Sequence, residues 1–147
     1  MNSPHSNSLV QSVNESNLRR FIGEWGKSFE AAVASFREHL AADAVWEQVG
    51  SATTHSADEA VALLNEMNSK YGIATFGADI RQLLVDGDVA VAERVDHLRR
   101  ADGALIHSAA VTTVYEFDRN GKICAMREYF DTAGLAAVIG RIAPAPT

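Results

Sequence analysis

The chain has 147 residues, of which 47% are hydrophobic and 22% are charged, and these values are typical of one globular domain with its own core. The net charge of −6 argues against a nucleic-acid-binding protein, because such a protein needs a basic surface patch. No apolar run approaches the length of a membrane span, so we expect no membrane partner either.

The N-terminal stretch, residues 1–14, is rich in Ser and Asn and has no apolar periodicity, which predicts a disordered, mobile tail. It has neither the basic nor the apolar region of a signal peptide. Cys124 is the only cysteine, so no disulfide framework can form, and this agrees with a reducing compartment. We therefore expect a cytoplasmic protein with a single domain over residues 15–142 and a short tail over residues 143–147.

The first half of the chain is predicted to be mainly helical. Apolar residues at helical spacing predict three helices, at about residues 16–25, 29–40 and 58–71. Between the second and the third, residues 44–49 form a candidate strand. Trp46 and Gln48 would lie on the same face of this strand, because alternate side chains of a strand point to the same side.

The second half, after Gly72, is typical of a β-sheet. Turns that contain Asp-Gly or Asn-Gly separate four predicted strands, at residues 73–85, 89–99, 105–117 and 123–130. Thr132 is a candidate cap for a closing helix. Helices followed by a run of strands indicate an α+β fold, in which a curved, mixed or antiparallel sheet wraps around three to four helices and leaves a pocket between the layers.

Two of these strands carry charge in their apolar middle. Alternation places Arg94 and Asp96 on one face of the strand at residues 89–99. In the last strand it places Glu128 on the face of three apolar residues, Cys124, Met126 and Phe130. A carboxylate in such surroundings is costly to bury unless it is paired, and Arg94 is the candidate partner.

The opposite face of the strand at residues 89–99 is also apolar, with Val89, Val91 and Val95. A sheet that is apolar on both faces needs cover on both. This pattern predicts a homodimer that forms through the outer face.

The motifs around these charges resemble the limonene epoxide hydrolase family. Residues 93–96 read E-R-V-D, where the family has E-R-V-D or E-R-T-D, and residues 127–131 read R-E-Y-F-D, where it has R-D-Y-F-D. Trp46-Glu47-Gln48 is similar to the family's Y-x-N. The resemblance covers about residues 15–140 and implies the cone-shaped fold that nuclear transport factor 2, ketosteroid isomerase and the polyketide cyclases share.

The resemblance also implies a catalytic site. The family's aspartate–arginine–aspartate triad falls on Glu128, Arg94 and Asp96, and its water-holding tyrosine and asparagine fall on Trp46 and Gln48. Opening an epoxide with water needs a base for the water and an acid for the departing oxygen. We expect Glu128, with Gln48, to orient and deprotonate the water, Asp96 to act as the protonated acid, and Arg94 to bridge them. Neither a metal nor another cofactor is needed.

A hydrophobic small-molecule substrate needs an apolar pocket lining. The candidates are aromatic and aliphatic residues on the predicted inner faces, namely Phe21, Trp25, Phe36, Leu64, Leu98, Met126 and Phe130. The histidines show neither H-x-H nor H-E-x-x-H spacing, so a metal site is not expected.

The favoured interpretation is a cofactor-independent epoxide hydrolase that acts on a terpenoid, lipid or sterol epoxide. Two alternatives stay open. One is an isomerase or cyclase of the same fold, in which the carboxyl groups move a proton on a steroid-like or polyketide-like substrate. The other is a non-catalytic small-molecule-binding protein whose charged cluster is a structural ion-pair network.

Overall fold

The computed structural model describes residues 4–142, which form four helices and one six-stranded sheet. The helices are α1 Pro4–Gly23, α2 Phe29–His39, α3 Ala57–Tyr71 and α4 Thr132–Arg141. The strands are β1 Leu40–Gln48, β2 Thr53–Thr54, β3 Thr75–Asp86, β4 Val89–Arg99, β5 Leu105–Phe117 and β6 Ile123–Tyr129. The predicted α+β class is confirmed, and none of the described helices is long and apolar enough to cross a membrane.

The sheet has the strand order β2-β1-β6-β5-β4-β3. Its pairs are antiparallel except for β1 and β6, which run parallel. In this parallel pair Trp46 lies opposite Met126 and Gln48 lies opposite Glu128. The mixed sheet thus joins a strand from the first half of the chain to the last strand and brings their polar residues side by side.

Helix α1 begins within the stretch that the sequence analysis assigns to a mobile tail, so that prediction is wrong for residues 4–14. Asn14 is buried, and its side-chain amide donates a hydrogen bond of 2.9 Å to the carbonyl oxygen of Gly87. The amide of Asn17 donates similarly to Gly121, at 3.2 Å. Polar side chains therefore attach the middle of α1 to two hairpin turns, which an apolar pattern cannot reveal. Residues 1–3 and the predicted tail at residues 143–147 lie outside the described residues.

Strand β6 departs from regular alternation at its start. Ala125 lies opposite Glu116 and Ile123 lies opposite Phe117, which leaves Cys124 as the extra residue of a β-bulge. Ile123, and not Cys124 as predicted, is the residue buried before Met126. Beyond the bulge the predicted alternation holds, so Met126 and Glu128 are both buried.

An aromatic cluster from α1 and α2 forms the centre of the core. The ring of Phe21 lies 5.0 Å from that of Trp25 and 5.1 Å from that of Phe36, measured between centroids. A close backbone contact positions this cluster against the edge strand, since a Cβ atom at Gly77 would lie only 2.9 Å from the Cα of Gly26. Glycine at both positions lets the helical layer approach β3, where Phe76 packs 5.4 Å from Trp25.

Candidate active site

Arg94, on β4, is the centre of a buried charged cluster, and its side chain is only 1% exposed. Its Nε and Nη2 donate hydrogen bonds to the two oxygens of Asp96, at 2.8 and 3.1 Å. A second hydrogen of Nη2 bonds Glu128 Oε2. Because alternate residues of β4 share a face, the Arg94–Asp96 contact follows from local geometry, whereas Glu128 is brought in from β6.

The remaining nitrogen of Arg94 binds two residues of β5. Nη1 donates to the hydroxyl of Thr113 at 2.7 Å and to that of Tyr115 at 2.5 Å. All five guanidinium N–H groups therefore have an acceptor, which is the condition for burying this group without loss. The Trp25 ring lies beneath the guanidinium, 4.9 Å from Cζ, and adds a cation–π contact.

Thr113 and Tyr115 were not among the residues predicted from the sequence. Both are fully buried, with no exposed surface. Alternation along the predicted strand at residues 105–117 places them on the face of Val111, which is the one signal that could have identified them.

Glu128 accepts hydrogen bonds on both oxygens. The indole Nε1 of Trp46 donates to Oε1 at 2.7 Å. Oε2 receives Arg94 and, at 3.4 Å, the hydroxyl of Thr113. In each of these contacts Glu128 is the acceptor.

The buried environment shifts the pKa of three groups of this cluster. Burial raises the pKa of Asp96; the Arg94 charge opposes this effect, and the negative charge of Glu128 adds to it. Burial alone would lower the pKa of Arg94, but Tyr115 and both carboxylates outweigh it and raise that pKa. Burial also raises the pKa of Tyr115 to about 12, so its phenol stays neutral.

A cavity opens over this cluster, with a volume of about 70 Å³. A single water needs roughly 10–15 Å³, so the cavity has room for a water and for part of a substrate. Its polar lining consists of Gln48, Arg94, Asp96 and Glu128, together with the indole of Trp46. The rest is apolar, comprising Trp25, Phe36, Leu64, Met67, Phe76, Leu98, Ala109, Val111, Met126, Phe130 and Leu135.

Six of the seven predicted lining residues lie in this cavity, and Phe21 does not. Phe21 has no exposed surface and packs behind Trp25 and Phe36, so it belongs to the core. Phe21 and Trp25 both fall within the helix predicted at residues 16–25, and a helical stripe alone does not tell which of its members reaches the cavity. The lining residues that the sequence analysis missed are Met67, Phe76, Ala109, Val111 and Leu135.

The arrangement is suited to acid–base chemistry on an apolar molecule. Two carboxyl groups share one arginine at the polar end of the cavity, and apolar walls surround the rest. Among the described residues, no three His, Cys, Asp or Glu side chains are grouped as metal ligands.

Comparisons with known proteins agree with this geometry. A family model described as the limonene-1,2-epoxide hydrolase catalytic domain matches residues 26–141. A search of curated proteins finds no match.

Several solved structures share the fold. An LEH-like epoxide hydrolase of M. tuberculosis is 22% identical, with a TM-score of 0.69 over 89% of this chain and 92% of that one. A Jannaschia sp. CCS1 protein described as a SnoaL-like polyketide cyclase is 16% identical and has a TM-score of 0.71; the match covers 96% of this chain and 97% of that one. An NTF2-like protein from Burkholderia pseudomallei is 17% identical and has a TM-score of 0.70; the match covers 86% of this chain and 97% of that one. At these identities the structures show the fold alone.

The Thr113 hydroxyl can be tested by substitution with the similarly shaped Val. Thr113→Val leaves one N–H of the buried Arg94 without its acceptor, so we expect it to lower the free energy of unfolding by about 1–3 kcal/mol. Urea denaturation followed by circular dichroism measures this change. Thr112→Val, at the exposed neighbouring position, is the matched control and should change stability by no more than about 0.5 kcal/mol. Equal effects of the two variants would show that the Thr113 hydroxyl does not support Arg94.

Proposed function

Since this chain belongs to the limonene-1,2-epoxide hydrolase family, we propose that it is a cofactor-independent epoxide hydrolase that adds water to a hydrophobic epoxide and releases a vicinal diol. The observation that carries this proposal is the pair of carboxyl groups on the buried Arg94, at the polar end of an apolar cavity. An acid and a base on either side of one small reacting group are what single-step epoxide hydration requires.

In the proposed reaction Glu128 removes a proton from water, and the water oxygen forms a bond to one epoxide carbon. The bond between that carbon and the epoxide oxygen breaks as Asp96 gives its proton to the departing oxygen. The products are the diol, a protonated Glu128 and an ionised Asp96. Transfer of one proton from Glu128 to Asp96 restores the starting state, so no atom or electron is left over.

The surroundings of the two groups support this division of roles. Burial raises the pKa of Asp96, which favours the protonated form that an acid needs. Glu128 accepts hydrogen bonds from Trp46, Arg94 and Thr113, and it lies beside Gln48 in the β1–β6 register. Arg94 holds both carboxyl groups in place and compensates the charge that moves between them.

The cavity walls indicate the kind of substrate. Apart from the polar end, they offer only aromatic, aliphatic and thioether groups, so binding energy must come from apolar contact. A terpenoid, lipid or sterol-like epoxide has this character.

We also propose that the protein is a homodimer that forms through the outer face of the sheet. Val91 lies at the middle of an apolar row on this face, between Leu84 on β3 and Val114 on β5. Leu84 is 68% exposed and Tyr129, on the same face, is 48% exposed. Apolar side chains of this size gain stability when a second copy covers them.

The function is tested with a panel of apolar epoxides in water labelled with oxygen-18. We expect a diol with one labelled oxygen. Asp96→Asn and Glu128→Gln should each lower kcat by about 10²–10⁴-fold, because each removes one proton-transfer group. Glu93→Gln, on the exposed face of the same β4, is the control and should leave kcat unchanged. Turnover of an enone or polyketide without any diol would instead favour an isomerase or cyclase.

The pH profile tests the role of Asp96. The acid must be protonated, so kcat/KM should fall as the pH rises through the pKa of Asp96. Because burial raises that pKa, this alkaline limb should lie above the range of an ordinary aspartate. The limb should be absent from the residual activity of Asp96→Asn. A limb that persists unchanged in this variant would assign the acid to another group.

The dimer is tested by light scattering of the purified protein. The native chain should have twice the monomer mass, and Val91→Glu should yield a monomer because it places a charge within the covered apolar row. Glu93→Gln, on the same face, should stay dimeric. A native chain that is monomeric at micromolar concentration would contradict the proposal.

A further inference from the structure

We propose that Trp46 is a positioning residue that fixes the carboxylate of Glu128, and that the attacking water is held by Glu128 Oε1 and Gln48 without Trp46. This inference rests on the proposed function for the identity of the water. Its structural part, the contact of Trp46 with Glu128, holds or fails independently of any activity.

The indole has one hydrogen to donate and no acceptor, so it can make a single hydrogen bond. Nε1 of Trp46 uses that hydrogen on Glu128 Oε1 at 2.7 Å. Trp46 is 5% exposed, and its ring packs edge-on against Phe36 with centroids 5.4 Å apart. The ring is therefore held in place, and nothing on it is left to bind a water.

The two oxygens of Glu128 are occupied unequally. Oε2 receives donors from Arg94 and Thr113, which use both of its lone-pair directions. Within residues 4–142 Oε1 receives only Trp46 and keeps one direction open. Oε1 is therefore the atom that can accept the proton of the water, and Trp46 sets the direction in which its open lone pair points.

Gln48 completes the water site. It lies two residues after Trp46 on the same face of β1, opposite Glu128 in the parallel register, and it lines the cavity. Its side-chain amide makes no hydrogen bond to any other group within residues 4–142, so both of its polar atoms are available. The water thus has two partners, and its orientation depends on how firmly Glu128 is held.

Nuclear magnetic resonance tests the contact without any substrate. The chain has two tryptophans, so a nitrogen-15 spectrum contains two indole N–H signals, and Trp46→Phe assigns them. We expect the Trp46 signal to lie downfield, because its N–H meets a carboxylate, and to exchange slowly with water. The Trp25 N–H is buried with no hydrogen-bond partner among the described residues and is the internal reference.

Glu128→Gln should move the Trp46 signal upfield by more than it moves the Trp25 signal, and Glu93→Gln should move neither. If Glu128→Gln does not fold, exchange of the indole hydrogen in the native protein still decides the question. Two results would overturn the proposal. One is rapid magnetisation transfer from water to the Trp46 N–H, and the other is a Trp46 indole signal that does not move in Glu128→Gln. Slow exchange with no epoxide turnover would leave the contact in place and refute only the proposed function.

Kinetics then separate positioning from binding. Trp46→Phe keeps an aromatic ring and removes the donor, so kcat should fall by about 10–100-fold with little change in KM. A rise in KM with kcat unchanged would indicate that Trp46 contributes to substrate binding and not to the positioning of Glu128.

Discussion

The burial of one guanidinium organises this molecule. Arg94 is 1% exposed, and a charge in that position is tolerated only when each of its donors meets an acceptor. The acceptors come from three neighbouring strands, with Asp96 on β4, Thr113 and Tyr115 on β5, and Glu128 on β6. A shift of register between any two of these strands would leave an unpaired charge in the core, so the network and the sheet register stabilise each other.

The parallel pairing of β1 with β6 adds the second half of the site. It places Trp46 and Gln48 beside Glu128, so the carboxylate has a charged network on one side and the indole of Trp46 and the amide of Gln48 on the other. Oε2 therefore accepts from Arg94 and Thr113, whereas Oε1 accepts only from Trp46 among residues 4–142. In the proposed mechanism this division lets one residue take part in a buried ion pair and also act as the base.

The fold does not decide the reaction, because similar sheets occur in an LEH-like hydrolase and in a protein described as a SnoaL-like cyclase. A difference in reaction between proteins of this fold must therefore lie in the residues of the site. Arg94 and Asp96 of the E-R-V-D motif match the family pattern, whereas Glu128 of R-E-Y-F-D stands where the pattern has aspartate, and Trp46 and Gln48 of W-E-Q stand where it has tyrosine and asparagine. The longer carboxylate and the donor-only indole are in direct contact.

Local properties were predictable from the sequence alone. The turn residues and the alternation of apolar residues predicted β4 and β5 with their observed bounds. Alternation also placed Arg94 on the same face as Asp96 and placed Glu128 on an inner face, because side-chain direction in a strand depends only on the neighbouring residues. The apolar spacing likewise located α2 and α3 to within a few residues. The helical start of α1 escaped prediction, since residues 1–14 show no apolar periodicity and the buried Asn14 is held by an amide contact with a turn 73 residues away.

Contacts between distant segments were decided by the tertiary structure. The bond of Trp46 to Glu128 joins residues 82 positions apart, and the bulge at Cys124 exists only through the pairing with β5. Phe21 and Phe36 look alike as members of apolar helical stripes, yet only Phe36 reaches the cavity. The sequence by itself determined which residues could form the charged cluster, because that depends on local periodicity. The tertiary structure decided which oxygen of Glu128 is left open, because that depends on which donors the other strands bring to it.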